Sequence, residues 1–330
     1  EQPGCACRRD LMTSPVFLDF ERPIVDLELR LSRLRAIAER EPELAREIAP
    51  LEAQVERLQR ETFSRLTRWQ TVQLARHQQR PTALEHARAL PTELVELQGD
   101  RFAADDPAIV GGPASIGGHS VMLIAHARGR APDEELLRNY GMARPAGFRK
   151  VIRLVRLADR LGLPIVTLID TPGAHPGADA EEHGQAWAIA GAIDAFAQAR
   201  VPVVSCVVGE GGSGGALALA VADRLLMLEY AVFEVISPEA CSSILFRDGA
   251  HAESMAEALH LTARDLLRLQ LIDELIAEPP GGAHRDPNRA TEALRDAVVR
   301  ALTDLRTQPV EVLLCKRYDR VRQYGAVALQ

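Results

Sequence analysis

The chain has 330 residues, enough for one large domain or two with a substantial core. Hydrophobic residues make up 47% and charged residues 26%, ordinary soluble values, and no run approaches the roughly 18 apolar residues of a membrane span. A formal net charge of -7 and only 4% aromatic residues argue against a dedicated nucleic-acid binder, which needs basic surfaces and stacking platforms.

Residues 1–15, EQPGCACRRDLMTSP, lack apolar periodicity and an apolar signal core, and read as a frayed extension. Cys5 and Cys7 form C-x-C with no second pair at zinc-site spacing. The cysteines therefore read as reduced cytosolic thiols, with Cys206 buried in a strand. Residues 16–92, rich in Leu, Glu and Arg, are predicted as an N-terminal helical arm broken near Pro42 and Pro50. Thr82 to Glu85 (TALE) is a capping box that starts another short helix.

The predicted core spans 93–305. Residues 108–129 read as short strands turned at Gly111–Gly112 and Gly117–Gly118. Helices follow at 133–139 and 147–161, then a strand at 164–170, a helix at 180–199 and a strand at 201–208. After a glycine cluster come a small-residue helix, ALALAVA, and a long extended run, LLMLEYAVFEVI. Ser237 and Pro238 open the helix of SPEACSSILF. Helices near 252–259 and 262–270, a strand at 271–277 and a helix at 288–305 follow, leaving 306–330 as a tail. Such alternation is α/β with crossovers, and its ligand site is expected where glycine-bearing turns end the strands.

The segment at 147–161 carries two stripes. Val151, Leu154, Val155, Ala158 and Leu161 make an apolar face, and Arg149, Arg153, Arg156 and Arg160 share another. The arginines read as a solvated face, with docking of an acidic partner or phosphates as the alternative. CKRYDRVRQYG in the tail has the same ambiguity.

GEGGSGGA, Gly209 to Ala216, admits three chemistries. Gly209, Gly211 and Gly214 spell the dinucleotide pattern G-x-G-x-x-G, with Glu229 at the distance of a ribose-binding acid. The extra Gly212 and Gly215, and the position past residue 200, weaken it. Gly211, Ser213 and Gly215 spell the hydrolase elbow, but Gly-Glu-Gly-Gly separates Val208 from Ser213, and an elbow follows its strand at once. DTPG at Asp170–Gly173 resembles a GTPase switch, yet the chain has no G-x-x-x-x-G-K-[ST] cradle. Asp170 reads instead as a loop-organising acid. In the third chemistry the backbone does the work. Gly214 and Gly215 stand where ALALAVA begins, so their N–H groups can be unpaired donors for an oxygen gaining negative charge.

Several longer stretches share one family likeness: FLDFERPI (17–24), QLARHQQRP (73–81), GDRFAADDPAIVGG (99–112), NYGMARPAGFRK (139–150), IDTPGAHPG (169–177), GEGGSGGALAL (209–219), VISPEACSSILF (235–246) and EPPGGAHRDP (278–287). In order and content they resemble the family of carboxyltransferase alpha subunits of the multi-subunit acetyl-CoA carboxylase of bacteria and plastids. The resemblance implies a crotonase-like (ClpP/crotonase) α/β spiral of ββα units with an N-terminal helical extension. It implies an α2β2 assembly with a beta subunit that binds acyl-CoA and carries zinc, with no metal in this chain. Carboxybiotin arrives on the biotin carboxyl carrier protein, and a separate biotin carboxylase uses ATP. The implied product, from acetyl-CoA, is malonyl-CoA, in the first committed step of fatty acid biosynthesis.

By that resemblance the amides of Gly214 and Gly215 form an oxyanion hole for the biotin ureido oxygen. Carboxybiotin releases CO2 as its N–carboxyl bond breaks, the freed ureido nitrogen takes the methyl proton of acetyl-CoA, and the resulting enolate attacks that CO2. Gly173, His175, Gly177, Gly211 and Gly212 are expected in loops near carboxybiotin. The sequence departs from the family at His175, where tyrosine is common, at His183, where arginine is common, and at Ala146 and Phe148. A non-catalytic crotonase-like scaffold subunit is the alternative reading.

Overall fold

The computed structural model describes residues 17–39 and 41–325, so the expected extension at 1–15, with Cys5 and Cys7, lies outside the described residues. The chain divides into two compact units, one up to Thr62 and one from Phe63 onward. The first unit holds α1 (Arg22–Ala38) and most of α2 (Ile48–Ser64). Pro50 does not break a helix. It lies in the first turn of α2, where its missing N–H has no intrahelical partner to lose.

The second unit begins with α3 (Arg68–Ala75) and α4 (Ala83–Ala89), so the helical arm read to residue 92 is divided at Thr62. In α4 the capping box forms as its sequence indicates: Thr82 N donates to Glu85 Oε2 at 2.8 Å, and Glu85 N donates to Thr82 Oγ1 at 3.3 Å. The chain continues through β1 (Glu93–Leu94), β2 (Ile109–Ile116), β3 (His119–His126), α5 (Pro132–Leu137), α6 (Pro145–Leu161) and β4 (Ile165–Thr171). Next come α7 (Ala178–Glu182), α8 (Gln185–Gln198), β5 (Val203–Gly212), α9 (Ser213–Ala220), β6 (Arg224–Leu228) and β7 (Val232–Glu234). Then follow α10 (Pro238–Phe246), α11 (Ala252–Leu259), α12 (Ala263–Arg268), β8 (Glu274–Ile276), α13 (Pro287–Leu305) and α14 (Val310–Gln323).

One sheet takes the order β1-β2-β3-β4-β5-β6-β8, with β7 beside the far end of β5. Pairing is antiparallel from β1 to β3 and parallel from β3 onward. Every residue of β4 and β5 is buried, as expected for parallel strands covered on both faces. On α6, Val151, Leu154, Val155 and Ala158 are buried, whereas Leu161 is exposed because the helix ends there at left-handed Gly162.

Four local expectations change. Gly111 and Gly112 lie inside β2 rather than in a turn, because a side chain on Gly111 would meet Leu123 O at 2.7 Å, and one on Gly112 would overlap Val95. The helix expected at 180–199 is cut in two at left-handed Gly184. The long extended run is two strands separated by a turn at Glu229–Ala231. β5 continues through the glycines to Gly212, four residues beyond the apolar run. Among the described residues, no helix is long and apolar enough to cross a membrane.

Candidate active site

β4 and β5 run parallel as neighbours, so their C-terminal ends open side by side. A bulge between Ile169 and Thr171 shifts the register there and sets Thr171 opposite Gly211. The chain leaves β4 in the turn Pro172–Ala174, and Thr171 ties that turn to itself. Its Oγ1 donates to Gly173 O at 2.7 Å and accepts from Gly173 N at 3.1 Å. The chain leaves β5 directly into α9.

These two turns pack against each other with no room for side chains. A Cβ on Gly215 would lie 2.5 Å from both Ala174 N and the Gly173 carbonyl carbon, and one on Gly212 would overlap Pro172 O. Gly214 differs, since a Cβ there meets only Ile189 Cδ1 at an ordinary 3.6 Å. Packing therefore requires Gly212 and Gly215, but not Gly214.

α9 starts at Ser213, which places Ser213, Gly214 and Gly215 in its first three positions. Amides there have no intrahelical acceptor, and the preceding Gly212 offers no side chain to cap them. Gly215 is buried, Gly214 half-buried and Ser213 exposed. The helix start is thus an uncapped donor site beside a wall of backbone, with the macrodipole adding partial positive charge.

The remaining expected residues spread along the adjoining loops. Gly211 is a strand residue whose Cβ would press on Phe233 at 2.9 Å, so it shapes β5 from within. His175 is held by the 139–143 segment and by Asp179: its Nδ1 lies 3.0 Å from Asn139 Nδ2, its Nε2 3.4 Å from Asp179 Oδ1, and its backbone N–H donates to Ala143 O at 3.0 Å. Gly177 precedes α7, where a side chain would overlap Asp179 and His175. His183 contacts Asp179 O through Nδ1 at 2.6 Å, while Phe148 is wholly buried in the core.

Asp170 organises the strand end. Its carboxyl accepts from Ala83 N at 3.1 Å and Glu210 N at 3.2 Å, and burial pushes its pKa up. QLARHQQRP supplies two arginines to the same end of β5. Arg80 donates to Val208 O through Nε at 3.1 Å and to Glu278 Oε1 through Nη2 at 2.6 Å. Arg76 bonds Glu210 Oε1 through Nε at 2.8 Å. Reading the sequence missed these residues, because their partners lie more than a hundred positions away.

It also missed His126 on β3. That ring is fully buried, and neither nitrogen has a hydrogen-bond partner among the described residues. Burial lowers its pKa to about 4, an effect only partly offset by the Gly215 and Leu168 backbone, so the imidazole stays neutral.

The structure also decides among the motif readings. Glu229 binds Arg264 Nη2 at 2.7 Å and Glu278 N at 3.3 Å, so the acid of the dinucleotide pattern is already engaged. β5 ends at Gly212, so Ser213 does follow its strand at once, and its φ of 49° is the left-handed region rare for non-glycine residues. What is missing is the base: among the described residues no hydrogen bond joins the Ser213 hydroxyl to a histidine.

Residues 17–325 match the family model described as acetyl co-enzyme A carboxylase carboxyltransferase-like. The chain belongs to that carboxyltransferase family. An acetyl-coenzyme A carboxylase carboxyl transferase subunit alpha from Thermus thermophilus is 50% identical over 312 residues, covering 94% of this chain and 99% of that protein. Its counterpart from Hydrogenovibrio crunogenus is 48% identical over 309 residues, covering 94% and 97%.

Solved structures show the carboxyltransferase family's fold at greater distance. A subunit of a Pseudomonas malonate decarboxylase hetero-tetramer in complex with coenzyme A superposes with TM-score 0.60 at 20% identity, covering 75% of this chain and 97% of that one. The transcarboxylase 12S hexamer core gives 0.56 at 20%, covering 69% and 42%. The fold is the mixed α/β sheet with helical decoration that these neighbours share.

In this member of the carboxyltransferase family a wide groove lies elsewhere, between α6 and α8. It encloses about 1480 Å³ and does not touch Gly173, Gly214 or Gly215. Arg149 and Arg153 on its wall are tied to Asp100 and to the Leu97–Gly99 carbonyls, while Arg156 and Arg160 remain exposed.

Proposed function

We propose that this chain is the alpha subunit of an acetyl-CoA carboxylase carboxyltransferase, working with a beta subunit to move a carboxyl group from carboxybiotin to acetyl-CoA and form malonyl-CoA. The observation that carries this reading is the uncapped start of α9 pressed against the Pro172–Ala174 turn. The Gly214 and Gly215 amides fit a carbonyl oxygen that gains negative charge, and the absence of side chains at Gly212 and Gly215 keeps the two turns together. When bound, carboxybiotin supplies the carboxyl group and such an oxygen in its ureido ring. The chain's own contribution is to hold that oxygen with two fixed donors and to bring a close backbone wall beside it. Gly173, His175 and Gly177 border this position in the 172–177 loop, with His175 fixed by Asn139 and Asp179.

Exposed apolar side chains on α9, after β7 and on α10 support a partner subunit. Leu217 on α9, Val235 after β7, and Ile244, Leu245 and Phe246 on α10 all lie open to solvent. We place the beta subunit there, in an α2β2 assembly that the biotin carboxyl carrier protein visits after charging by biotin carboxylase. A cytoplasmic setting suits the free thiols Cys206, Cys241 and Cys315.

The test is malonyl-CoA synthesis from acetyl-CoA and carboxylated carrier, with the purified chain plus beta subunit. Transfer in the complete mixture, and its loss when this chain is omitted, is the expected result. No transfer with correctly assembled subunits defeats the enzyme reading and leaves the scaffold alternative.

A further inference from the structure

At the end of β5, three carboxyl groups converge on one guanidinium. Arg76, at the end of α3, bonds Glu210 Oε1 through Nε at 2.8 Å and Glu239 Oε1 through Nη1 at 2.6 Å. Its Nη2 lies 3.6 Å from Glu234 Oε1. Arg128, which follows β3, reaches Glu210 Oε2 at 4.0 Å. The Glu234 side chain is only 2% exposed, and its Oε2 has no hydrogen-bond partner among the described residues.

Glu234 sits where it can affect the transfer site. It ends β7, and its register partner on β5 is Gly212, the residue that leads into α9. The elements packed on it contribute Arg76 from α3, Glu210 from β5 and Glu239 from α10, while α9 carries no titratable side chain.

The charges balance only if one carboxyl is neutral. Arg76 faces all three carboxyls, and Arg128, which also lies 3.9 Å from Glu135, reaches only Glu210 among them, so a third anion in this buried place would lack a counterion. Glu239 is partly exposed and bonded, and Glu210 is bonded on one oxygen and faces Arg128 with the other, so the proton belongs on Glu234. Burial, joined by Glu210 and Glu239 and opposed by Arg76, raises the Glu234 carboxyl to about 8.

We propose that Glu234 is a positioning residue for carboxyl transfer, whose neutral carboxyl lets Arg76 and Glu239 clamp the end of β5 and so holds Gly212 and the α9 amides in register. This rests on the reading of those amides as the oxyanion donors. Loss of the proton sets a third negative charge beside Glu210 and Glu239, draws Arg76 away from them and loosens the strand end.

The experiment is the pH dependence of malonyl-CoA synthesis by the assembled alpha–beta enzyme. The wild-type rate should fall about tenfold between about pH 7 and about pH 9 as one group with a pKa near 8 deprotonates. Glu234→Gln, which keeps a neutral carbonyl in place, should retain most of the pH 7 rate and remove this alkaline fall. Glu234→Ala, which is also uncharged, should likewise lose the alkaline fall, and an unchanged fall there counts against the proposal. A wild-type rate with no such fall, or an unchanged fall in Glu234→Gln, overturns the proposal.

If Glu234→Gln does not assemble, the wild-type chain's infrared difference spectrum across the same range takes over. It should lose a buried protonated-carboxyl band, and its absence overturns the proposal. Gly215→Ala separates the two levels. Full transfer in that variant defeats the amide reading itself. Loss of transfer there, with an unchanged fall in Glu234→Gln, defeats only the role of Glu234.

Discussion

The two ends of β5 handle buried charge in opposite ways. At the Val203 end, Arg317 of α14 donates through Nε and Nη2 to Asp223 and through Nη1 and Nη2 to the carbonyls of Phe196, Ala199 and Val201, at 2.7 to 3.1 Å. Asp223 in turn accepts from Val203 N at 2.8 Å. Both side chains are almost fully buried, and every nitrogen of the guanidinium is bonded. At the Gly212 end, α9 leaves first-turn amides uncapped, Glu234 leaves an oxygen without a partner, and Ser213 holds a left-handed φ. A saturated network fixes the chain, whereas an unsaturated one, kept in place by surrounding packing, leaves polar groups open.

Breaking the saturated end should give the largest change in stability. Arg317→Ala leaves Asp223 buried without its cation and should cost about 3–5 kcal/mol, read by denaturant unfolding. Transfer per folded molecule should stay nearly normal, since the site lies at the other end of the strand.

Breaking the open end should instead strike the rate. Gly215→Ala drives a methyl into the Gly173–Ala174 backbone and should lower kcat by about a hundredfold or more if it displaces one oxyanion donor, a loss of roughly 3 kcal/mol. Gly214→Ala keeps its N–H and meets only Ile189, so its loss should be far smaller. Equal losses in the two variants would contradict the distinction drawn from packing.

pH sharpens the contrast further. The Glu234 carboxyl is raised in the folded chain, from 4.5 to about 8, so the folded state binds the extra proton between those values. Its contribution to stability is therefore full below about 4.5 and is lost as pH rises through about 8. Asp265 works the other way. Burial opposes its charge, but bonds from Arg68 and Thr262 win and lower its pKa to about 2. Its contribution is present above about 3.8 and lost as pH falls toward about 2. Unfolding midpoints measured against pH in wild type, Glu234→Gln and Asp265→Asn should show each variant flattening its own window.

Ser213 should give the smallest effect. Ser213→Ala should change kcat less than about threefold, because its hydroxyl has no base to activate it. Ser213→Gly should raise stability by up to about 1 kcal/mol by relieving the left-handed φ. Collapse of transfer in Ser213→Ala, with assembly intact, would return the serine to the chemistry.

By itself the sequence determined the alternation of strands and helices, the capping box at Thr82, the buried Cys206 strand and the place of the glycine turn. These depend on local pattern: apolar runs of strand length, S/T-x-x-E spacing, and glycines at strand ends. Tertiary structure alone decided that Gly215 is required by the Pro172–Ala174 turn while Gly214 is not, since that turn lies about forty residues away in the chain. It also carried β5 through the glycines to Gly212, because pairing with β4 and β7 overrides their weak strand preference. It turned part of the expected tail into the helix that locks β5 through Arg317. The charge state of Glu234 is the clearest case. A glutamate in VFEVI is unremarkable until folding removes its water and sets two other carboxylates around the same arginine.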